Sequence, residues 1–504
     1  MVIAESQLGW SLLQSGKWPD ARTAFESALS RESCGETLHG LADTLWWSGD
    51  LKGSIEYYQE AFAAYREEGN TLGAATAAFS LAMTYKCCLG NDAAASGWLG
   101  RAQSVAEEGD PTLIQGWLWS FQAYMAVDKD LDEAERYNAM SLAFAAKTGD
   151  RDLELVVNST QGVVEIMRGR VEEGIRLIDE SMAALSVGEN KRALTFVIVC
   201  CAMLIACELI ADIRRARDWF HIGERFMAQF ENLYLFAECR MTYGGTLFAL
   251  GQWARAEREL ISAVRETQDV YIAMNSMGRA RLARLYISRG ELEAAEEVLA
   301  GIENEIWALP PLAGLKLAQG DPSTALSLID RYWRLVDHKS MANAIVLQLQ
   351  VSAHLALDDR DGAAAALAQL KAMAAEHGWQ EVSARAHMAS GSFAMASNDF
   401  GGALACFERA MTDFSSLGMA YESARARFAA ATILAATNPS LAAIEAEGTR
   451  TVFEKLGARP DADAAAALLR NLGVATRPGP RTGSLLSRRE EEVLALLSQG
   501  LSNP

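Results

Sequence analysis

An internal repeat constrains the fold of this chain more than any other feature of its sequence. In the first copy, LGWSLLQSGKWPDARTAFESAL, small and apolar residues stand at fixed distances from Gly16. The same spacing recurs from twelve anchor positions with a mean step of about 38 residues, within the range of repeats that form helical hairpins. The anchors are Gly16, Gly49, Gly90, Lys129, Gly169, Ala211, Gly251, Gly290, Gly320, Arg360, Asn398 and Asn438.

Residue size around each anchor indicates how the hairpins pack. A small residue five positions after the anchor lets two antiparallel helices approach closely, and a Gly or Asn anchor suits the left-handed backbone that ends a helix. Large residues nine positions after most anchors then fill the space between copies, so the hairpins must stack to bury them. The small positions are Ala21, Ser54, Ala95, Ala134, Gly174, Ala216, Ala256, Ala295, Ala325, Ala365, Ala403 and Ala443. The large positions include Phe25, Tyr58, Leu99, Ile178, Phe220, Leu260, Leu299 and Phe407.

Composition and charge agree with an all-α fold and limit the partners of the chain. Of the 504 residues, 50% are hydrophobic, and no segment alternates convincingly in the manner of a β-strand. The net charge of −19 argues against binding of nucleic acid or an anionic membrane over the body of the chain. No signal-peptide pattern is visible at the N-terminus, so we expect a cytoplasmic protein. The apolar run Phe196 to Cys207 is too short for a membrane span and is expected to be a buried helix, and the eight cysteines are expected to be reduced thiols.

The spacing of the small and large positions resembles the tetratricopeptide repeat. The step is mostly nearer 40 residues than the usual 34, which resembles the longer repeats in the sensor superhelix of MalT-type bacterial activators. The resemblance implies a right-handed superhelix of about twelve hairpins over residues 1–470, with first helices lining the concave side. The spacing is matched well at Gly16, Gly49, Gly251, Gly290 and Asn398, and poorly at Lys129 and Asn438.

The resemblance also implies which side chains point into the groove. These positions are mostly apolar or aromatic, unlike the basic positions of family members that bind an acidic C-terminus, so they favour a small, largely apolar effector or a partner protein. The alternative is that most of them belong to the core. Trp46 is expected to face the groove, and its neighbour Trp47 to pack between helices. The candidate ligand-binding residues are Trp46, Phe79, Met83, Trp119, Ile166, Ile205, Glu208, Glu238, Met241, Phe248 and Arg284.

No catalytic or cofactor-binding motif occurs in the chain. It contains neither a P-loop nor a GxGxxG fingerprint, and neither HExxH nor GxSxG. The six histidines and eight cysteines lack the spacing of metal ligands. We therefore expect a protein that is not an enzyme, with no catalytic residue, no cofactor and no metal site.

A different pattern replaces the repeat near the C-terminus. Residues 471–484 are rich in Pro, Gly and Arg and are expected to form a flexible linker. In the following stretch, LLSRREEEVLALLSQGLSNP, Ser487 and Glu490 have the spacing of a capping box, and an apolar helical face follows them.

This stretch, residues 485–504, resembles the start of the LuxR-type helix-turn-helix domain. The resemblance implies the first helix of an incomplete domain, in which Ser487, Arg489 and Glu490 are structural and no residue reads DNA. DNA binding would then require the complete domain, acting as a dimer. The matching positions are Leu486, Ser487, Arg489, Glu490, Glu492, Val493, Leu494, Leu496, Leu497, Gly500, Leu501, Ser502 and Asn503, and Ser498 departs from the pattern.

Two functions follow from these patterns. The first is the sensor region of a LuxR-family transcriptional regulator, in which a small-molecule effector or regulatory protein in the groove controls the C-terminal DNA-binding domain. The alternative is a tetratricopeptide-repeat interaction scaffold without DNA-binding activity. The apolar groove positions are compatible with either function.

Overall fold

The computed structural model describes residues 2–111, 114–227, 236–268 and 270–474. Within these ranges the chain is helical and contains no β-strand, which confirms the all-α prediction. The predicted helix-turn-helix start, with Ser487, Arg489 and Glu490, lies outside the described residues, as does most of the predicted linker.

Twelve helical hairpins follow one another in the described part of the chain, and a single helix, α25 (Arg459–Asn471), comes after them. The first helices are α1 (Val2–Gln14), α3 (Gly35–Trp47), α5 (Thr71–Met83), α7 (Gln115–Ala126), α9 (Arg151–Met167), α11 (Ala193–Ile210), α13 (Phe236–Ala249), α15 (Ile272–Arg289), α17 (Leu309–Ala318), α19 (Ala344–Ala356), α21 (Gln380–Ala396) and α23 (Ala420–Thr437). The second helices are α2 (Trp18–Leu29), α4 (Leu51–Glu67), α6 (Asp92–Glu108), α8 (Leu131–Thr148), α10 (Val171–Ser186), α12 (Ile213–Met227), α14 (Trp253–Thr267), α16 (Leu292–Leu299), α18 (Pro322–Trp333), α20 (Arg360–His377), α22 (Phe400–Ser416) and α24 (Pro439–Leu456). A π-helical turn, Thr84–Cys88, extends α5, and 3₁₀ turns precede α17 and α19 at Ile306–Ala308 and Met341–Asn343.

The turns inside the hairpins confirm most of the predicted anchors and correct others. Nine anchors, among them Gly16 and Asn398, adopt the left-handed conformation. In the tenth hairpin the left-handed residue is Asp358, so the anchor Arg360 is wrong by two residues. Asn438 has a φ of −145° and caps α24 instead of forming a left-handed turn. Lys129 lies in its turn without the left-handed conformation.

Where an Asp or Asn caps the second helix, its position predicts the small, buried residue of that helix better than the position of the anchor does. In several hairpins an Asp or Asn side chain accepts a hydrogen bond from a backbone amide at the start of the second helix. The fourth residue after each of these caps is small and fully buried. The small positions Ala365 and Ala443 are therefore wrong, and Ala363 and Ala442 take their place. The caps are Asp50, Asn91, Asp130, Asp359, Asp399 and Asn438, and the small residues after them are Ser54, Ala95, Ala134, Ala363, Ala403 and Ala442.

Close contact between a glycine and a large side chain holds the two helices of a hairpin together. A β-carbon on Gly391 of α21 would lie 2.6 Å from the ring of Phe407 on α22, which is closer than atoms can approach. Gly9 and Phe25 have the same relation in the first hairpin, at 2.8 Å. In both pairs the large residue is fully buried. The small residue is required because the large one packs directly onto the backbone of the facing helix.

The substitution Gly391→Ala is expected to destabilise the fold. The added methyl group must displace Phe407, and overpacking of this kind lowers the free energy of unfolding by about 1–3 kcal/mol. Gly97→Ala on α6 is the control, because a β-carbon there meets nothing within 4 Å and alanine favours a helix over glycine. Urea unfolding followed by circular dichroism measures both variants, and equal effects would contradict this packing.

Helix α11 contains the apolar run that begins at Phe196. It has 18 residues and could cross a membrane by length and composition, but 67% of it is buried inside the structure. Its buried side chains face all directions, since four consecutive residues, 199–202, are all buried. The chain therefore uses α11 as a core helix, because the neighbouring helices cover it.

Successive turns of the superhelix touch each other. The amide of Asp337 donates to the carbonyl of Asp128 at 2.8 Å, and the Asp337 carboxylate accepts from the amide of Leu131 at 2.8 Å. Arg459 pairs with Glu291 at 3.1 Å. These partners are separated by 206 and 168 residues along the chain. Hairpins that are far apart in the sequence are therefore in direct contact.

Candidate functional site

Two predicted groove residues are packed between helices. Ile166 is fully buried and contacts Gly174 within its own hairpin. Met241 on α13 is also fully buried, with its sulfur against Gly278 of α15. In this structure both side chains fill the core, as the alternative interpretation of the groove positions expected.

The adjacent tryptophans of α3 point in different directions. Trp46 is buried and lies beside the Cys88 thiol of the π-helical turn. Trp47 stacks on Trp18 with ring centroids 5.0 Å apart. Trp46 therefore faces the third hairpin, whereas Trp47 packs onto the second helix of the first hairpin.

The third and fourth hairpins contribute an aromatic surface. Phe79 is half-buried and meets Phe121 edge-on, with ring centroids 5.7 Å apart. Met83, one helical turn further along α5, is also half-buried. Trp119 packs edge-on against Phe144 of α8 at 6.0 Å, within its own hairpin.

Six side chains from four hairpins interact near the centre of the superhelix, and we name them the inner cluster. Protein surrounds the cluster, yet Tyr124 keeps 38% of its surface accessible, and Glu238 and Arg284 are also partly accessible. These three side chains therefore lie among many protein atoms and still keep surface that a ligand could reach. The inner cluster consists of Cys87 from the π-helical turn, Tyr124 from α7, Glu238 from α13, Tyr271 just before α15, and Arg281 and Arg284 from α15.

One side of the inner cluster is acidic and aromatic. The Glu238 carboxylate lies beside the Tyr271 hydroxyl and the Cys201 thiol, and both neighbours favour its ionised form. Burial raises the pKa of Glu238 above its ordinary value, and burial raises the pKa of the Cys87 thiol to about 12. The Tyr124 hydroxyl is a neighbour of the Cys87 sulfur. The Cys87 thiol is therefore protonated at neutral pH and is not a nucleophile.

The other side is basic and is organised by an ion pair. Arg281 donates two hydrogen bonds to the Glu208 carboxylate of α11, at 2.9 and 2.5 Å. Gly245 of α13 makes room for this pair, because a β-carbon there would collide with the Glu208 carboxylate. Burial opposes the charge of Arg281, but Glu208 more than offsets this effect, and the pKa of Arg281 is raised. Arg281 therefore keeps its charge beside the Glu208 carboxylate.

Arg284 lies one helical turn beyond Arg281. Its guanidinium stands over the Phe248 ring of α13, 5.4 Å from the ring centroid, in cation–π geometry. Burial lowers the pKa of Arg284, and the neighbouring charge of Arg385 lowers it further. Ile205, on the same helix as Glu208, is half-buried. The predicted residues Glu208, Phe248 and Arg284 thus stand near one another on this side.

Several cluster residues were missed by the sequence prediction. Arg281 is three positions before Arg284 and therefore shares its helix face, a signal that was available from the sequence. Cys87, Tyr124 and Tyr271 gave no such signal, because distant hairpins bring them together. The tetratricopeptide groove positions account for contacts within one turn of a superhelix, not for contacts between its turns.

The chemistry of the inner cluster suits non-covalent binding. It offers a carboxylate, hydroxyl groups, guanidinium groups and aromatic faces around one enclosed space. In the part of the chain that the structure describes, no group of three His, Cys, Asp or Glu residues could hold a metal ion. Carboxylate, hydroxyl and guanidinium groups can orient a ligand through hydrogen bonds, and aromatic faces can pack against its apolar parts.

Comparison with known proteins identifies the repeat. Residues 33–108, which contain α3 to α6, match the tetratricopeptide repeat family. The described chain is a stack of tetratricopeptide-like hairpins. No curated protein matches the chain.

Three solved structures illustrate the likeness at low sequence identity. The Rap protein complexed with competence and sporulation factor is 12% identical, covers 64% of this chain and 98% of its own, and gives a TM-score of 0.41. The Cut9–Hcn1 hetero-tetramer of the APC/C is 12% identical, covers 91% and 95%, and gives 0.49. Yeast Tom70 is 13% identical, covers 99% of both chains, and gives 0.30.

The substitution Glu238→Gln is expected to stabilise the protein at neutral pH. The raised pKa of Glu238 means that the folded state disfavours the ionised carboxylate. Glu238 therefore lowers the free energy of unfolding at pH values above its ordinary pKa of 4.5, and this effect is absent well below that pH. The variant should therefore melt at a higher temperature than the parent protein at pH 7, and the difference should vanish near pH 4. Glu293→Gln, at an exposed position of α16, is the control. A lower melting temperature for Glu238→Gln at pH 7 would contradict this account of Glu238.

Proposed function

We propose that this protein is a tetratricopeptide-repeat interaction protein that binds a partner segment or an effector against the inner cluster. One observation carries the proposal. Glu238, Arg284 and Tyr124 lie deep within the stack and still have accessible surface. A ligand that enters the superhelix would meet these groups.

The energetics of stacking support this proposal. The hairpins are held together by contacts between small and large apolar residues, which need no charge inside the superhelix. Enclosed charges such as Glu238 and Arg284 oppose folding unless they are paired. Residues that lower the free energy of unfolding in this way are characteristic of binding sites, where they are retained because binding requires them. The shifted pKa values of both groups agree with a functional role.

We place this activity in the cytoplasm. None of the eight cysteines, all within the described residues, forms a disulfide, and five of them are buried. Burial and adjacent thiols such as Cys201 and Cys239, 3.5 Å apart, agree with a reducing compartment.

The proposal is tested by chemical cross-linking of the purified protein to proteins of its own source, followed by mass spectrometry. Tyr124→Ala removes an accessible ring of the inner cluster and should abolish capture of a specific partner. Phe400→Ala is the matched aromatic control, because Phe400 is 53% exposed on the second helix α22. This control should keep the partner. Loss with Phe400→Ala and retention with Tyr124→Ala would place binding on the outer surface and contradict the proposal.

A second candidate function is the sensor region of a LuxR-type regulator. The pattern around Ser487, Arg489 and Glu490 favours it, although these residues lie outside the described part. In this function, a ligand at the inner cluster would shift the contacts between successive turns and so change the presentation of a DNA-binding domain. Reading the codons that follow Pro504 tests it: a basic recognition helix in frame supports the regulator, and an immediate stop codon contradicts it.

A further inference from the structure

Arg284 differs from the arginines beside it in having no acidic partner. Arg281 is neutralised by Glu208 through two hydrogen bonds of 2.9 and 2.5 Å. Arg385, whose charge acts on Arg284, is neutralised by Glu381 at 3.0 and 2.6 Å. Among the described residues, Arg284 donates no hydrogen bond and forms no ion pair. The charges of Glu208 and Glu422 act on it without direct contact, and the Phe248 ring covers one face of its guanidinium.

The guanidinium of Arg284 still has access to the enclosed space. Arg284 is partly accessible. In the described part of the chain, its nitrogen atoms are not among the fully buried polar atoms that lack a hydrogen-bond partner. One face of the guanidinium is covered by Phe248 at 5.4 Å. Its N–H groups, which lie in the guanidinium plane, remain available to an acceptor.

The charge balance of the chain makes an arginine without an ion pair unusual. The sequence has 65 acidic and 46 basic Lys and Arg residues, so carboxylates are abundant. Glu422, a carboxylate whose charge acts on Arg284, is itself paired with Arg425 at 3.4 Å. An enclosed guanidinium without a counter-ion lowers stability, and an anion supplied by a ligand would remove that penalty.

We propose that Arg284 binds an anionic oxygen group, a carboxylate or a phosphate, of the ligand that occupies the inner cluster. The planar guanidinium can donate two parallel hydrogen bonds to such a group, while Phe248 supports its face. The adjacent ring favours a ligand with an apolar or aromatic part next to its anionic group. This inference rests on the proposed function, because it names the chemistry of the ligand at the same site.

The first test compares two arginines without any ligand. Arg284→Met keeps the apolar contact with Phe248 and removes a charge that has no partner, so its melting temperature should equal or exceed that of the parent protein. Arg281→Met leaves Glu208 enclosed and unpaired, so its melting temperature should fall by roughly 5 °C. A comparable fall for Arg284→Met would show that Arg284 serves the fold and would overturn the inference.

The second test measures binding of two aromatic anions, phenylacetate and phenyl phosphate, by calorimetry at constant ionic strength, with benzyl alcohol as the neutral control. We expect saturable binding of at least one anion with a dissociation constant of about 1 mM, which is typical of ligands of this size. Arg284→Met should weaken that binding about tenfold or more. Preference for one anion identifies the ligand group as carboxylate or phosphate. Absence of binding, or binding unaffected by Arg284→Met, overturns the inference.

Failure of this inference is distinguishable from failure of the proposed function. If Tyr124→Ala abolishes partner capture but the anions do not bind through Arg284, the function stands and the anionic chemistry is wrong. If the anions bind through Arg284 but no partner is captured, the site exists and its ligand is a small molecule.

Discussion

The structure depends on the contact between a glycine or alanine on one helix and a large residue on the facing helix. Gly9 with Phe25 and Gly391 with Phe407 are examples near the two ends of the chain. Each contact brings two helix backbones close together and leaves an apolar face that only the next hairpin can bury. Repetition of this one contact generates the stack, and the stack in turn forms the enclosed interior.

The inner cluster is a consequence of how closely the stack winds. Asp337 is hydrogen-bonded to Asp128 and Leu131. The bond to Leu131 joins turns that are 206 residues apart in the sequence. This winding places the third and fourth hairpins opposite the seventh and eighth, so Tyr124 and Cys87 come near Glu238 and Tyr271. Polar groups that would each lie in an open groove instead share one enclosed space. Their altered pKa values follow from that enclosure.

The two sides of the inner cluster differ in how their charges are balanced. Glu208 and Arg281 satisfy each other, and Gly245 provides the room that they need. Arg284 has aromatic support from Phe248 without a carboxylate. A fully paired group beside an unpaired one distinguishes structural charge from charge that is available to a ligand. The sequence does not show this distinction, because Arg281 and Arg284 each stand between an alanine and a leucine.

The sequence by itself determined the hairpins, because size and backbone preference act over short distances. Gly16 and Asn398 were placed correctly since a left-handed turn excludes most other residues, whereas Arg360 was misplaced because the capping residue Asp359, not the turn, sets the register of α20. Glu208, Phe248 and Arg284, which were predicted to line the groove, lie near one another in the structure, and their role as ligand-binding residues stays a prediction. Only the tertiary structure decided that Ile166 and Met241 are core, and that Tyr124 and Cys87 meet Glu238 across the superhelix. Those contacts depend on the summed rotation of many hairpins, and no local pattern of residues encodes that sum.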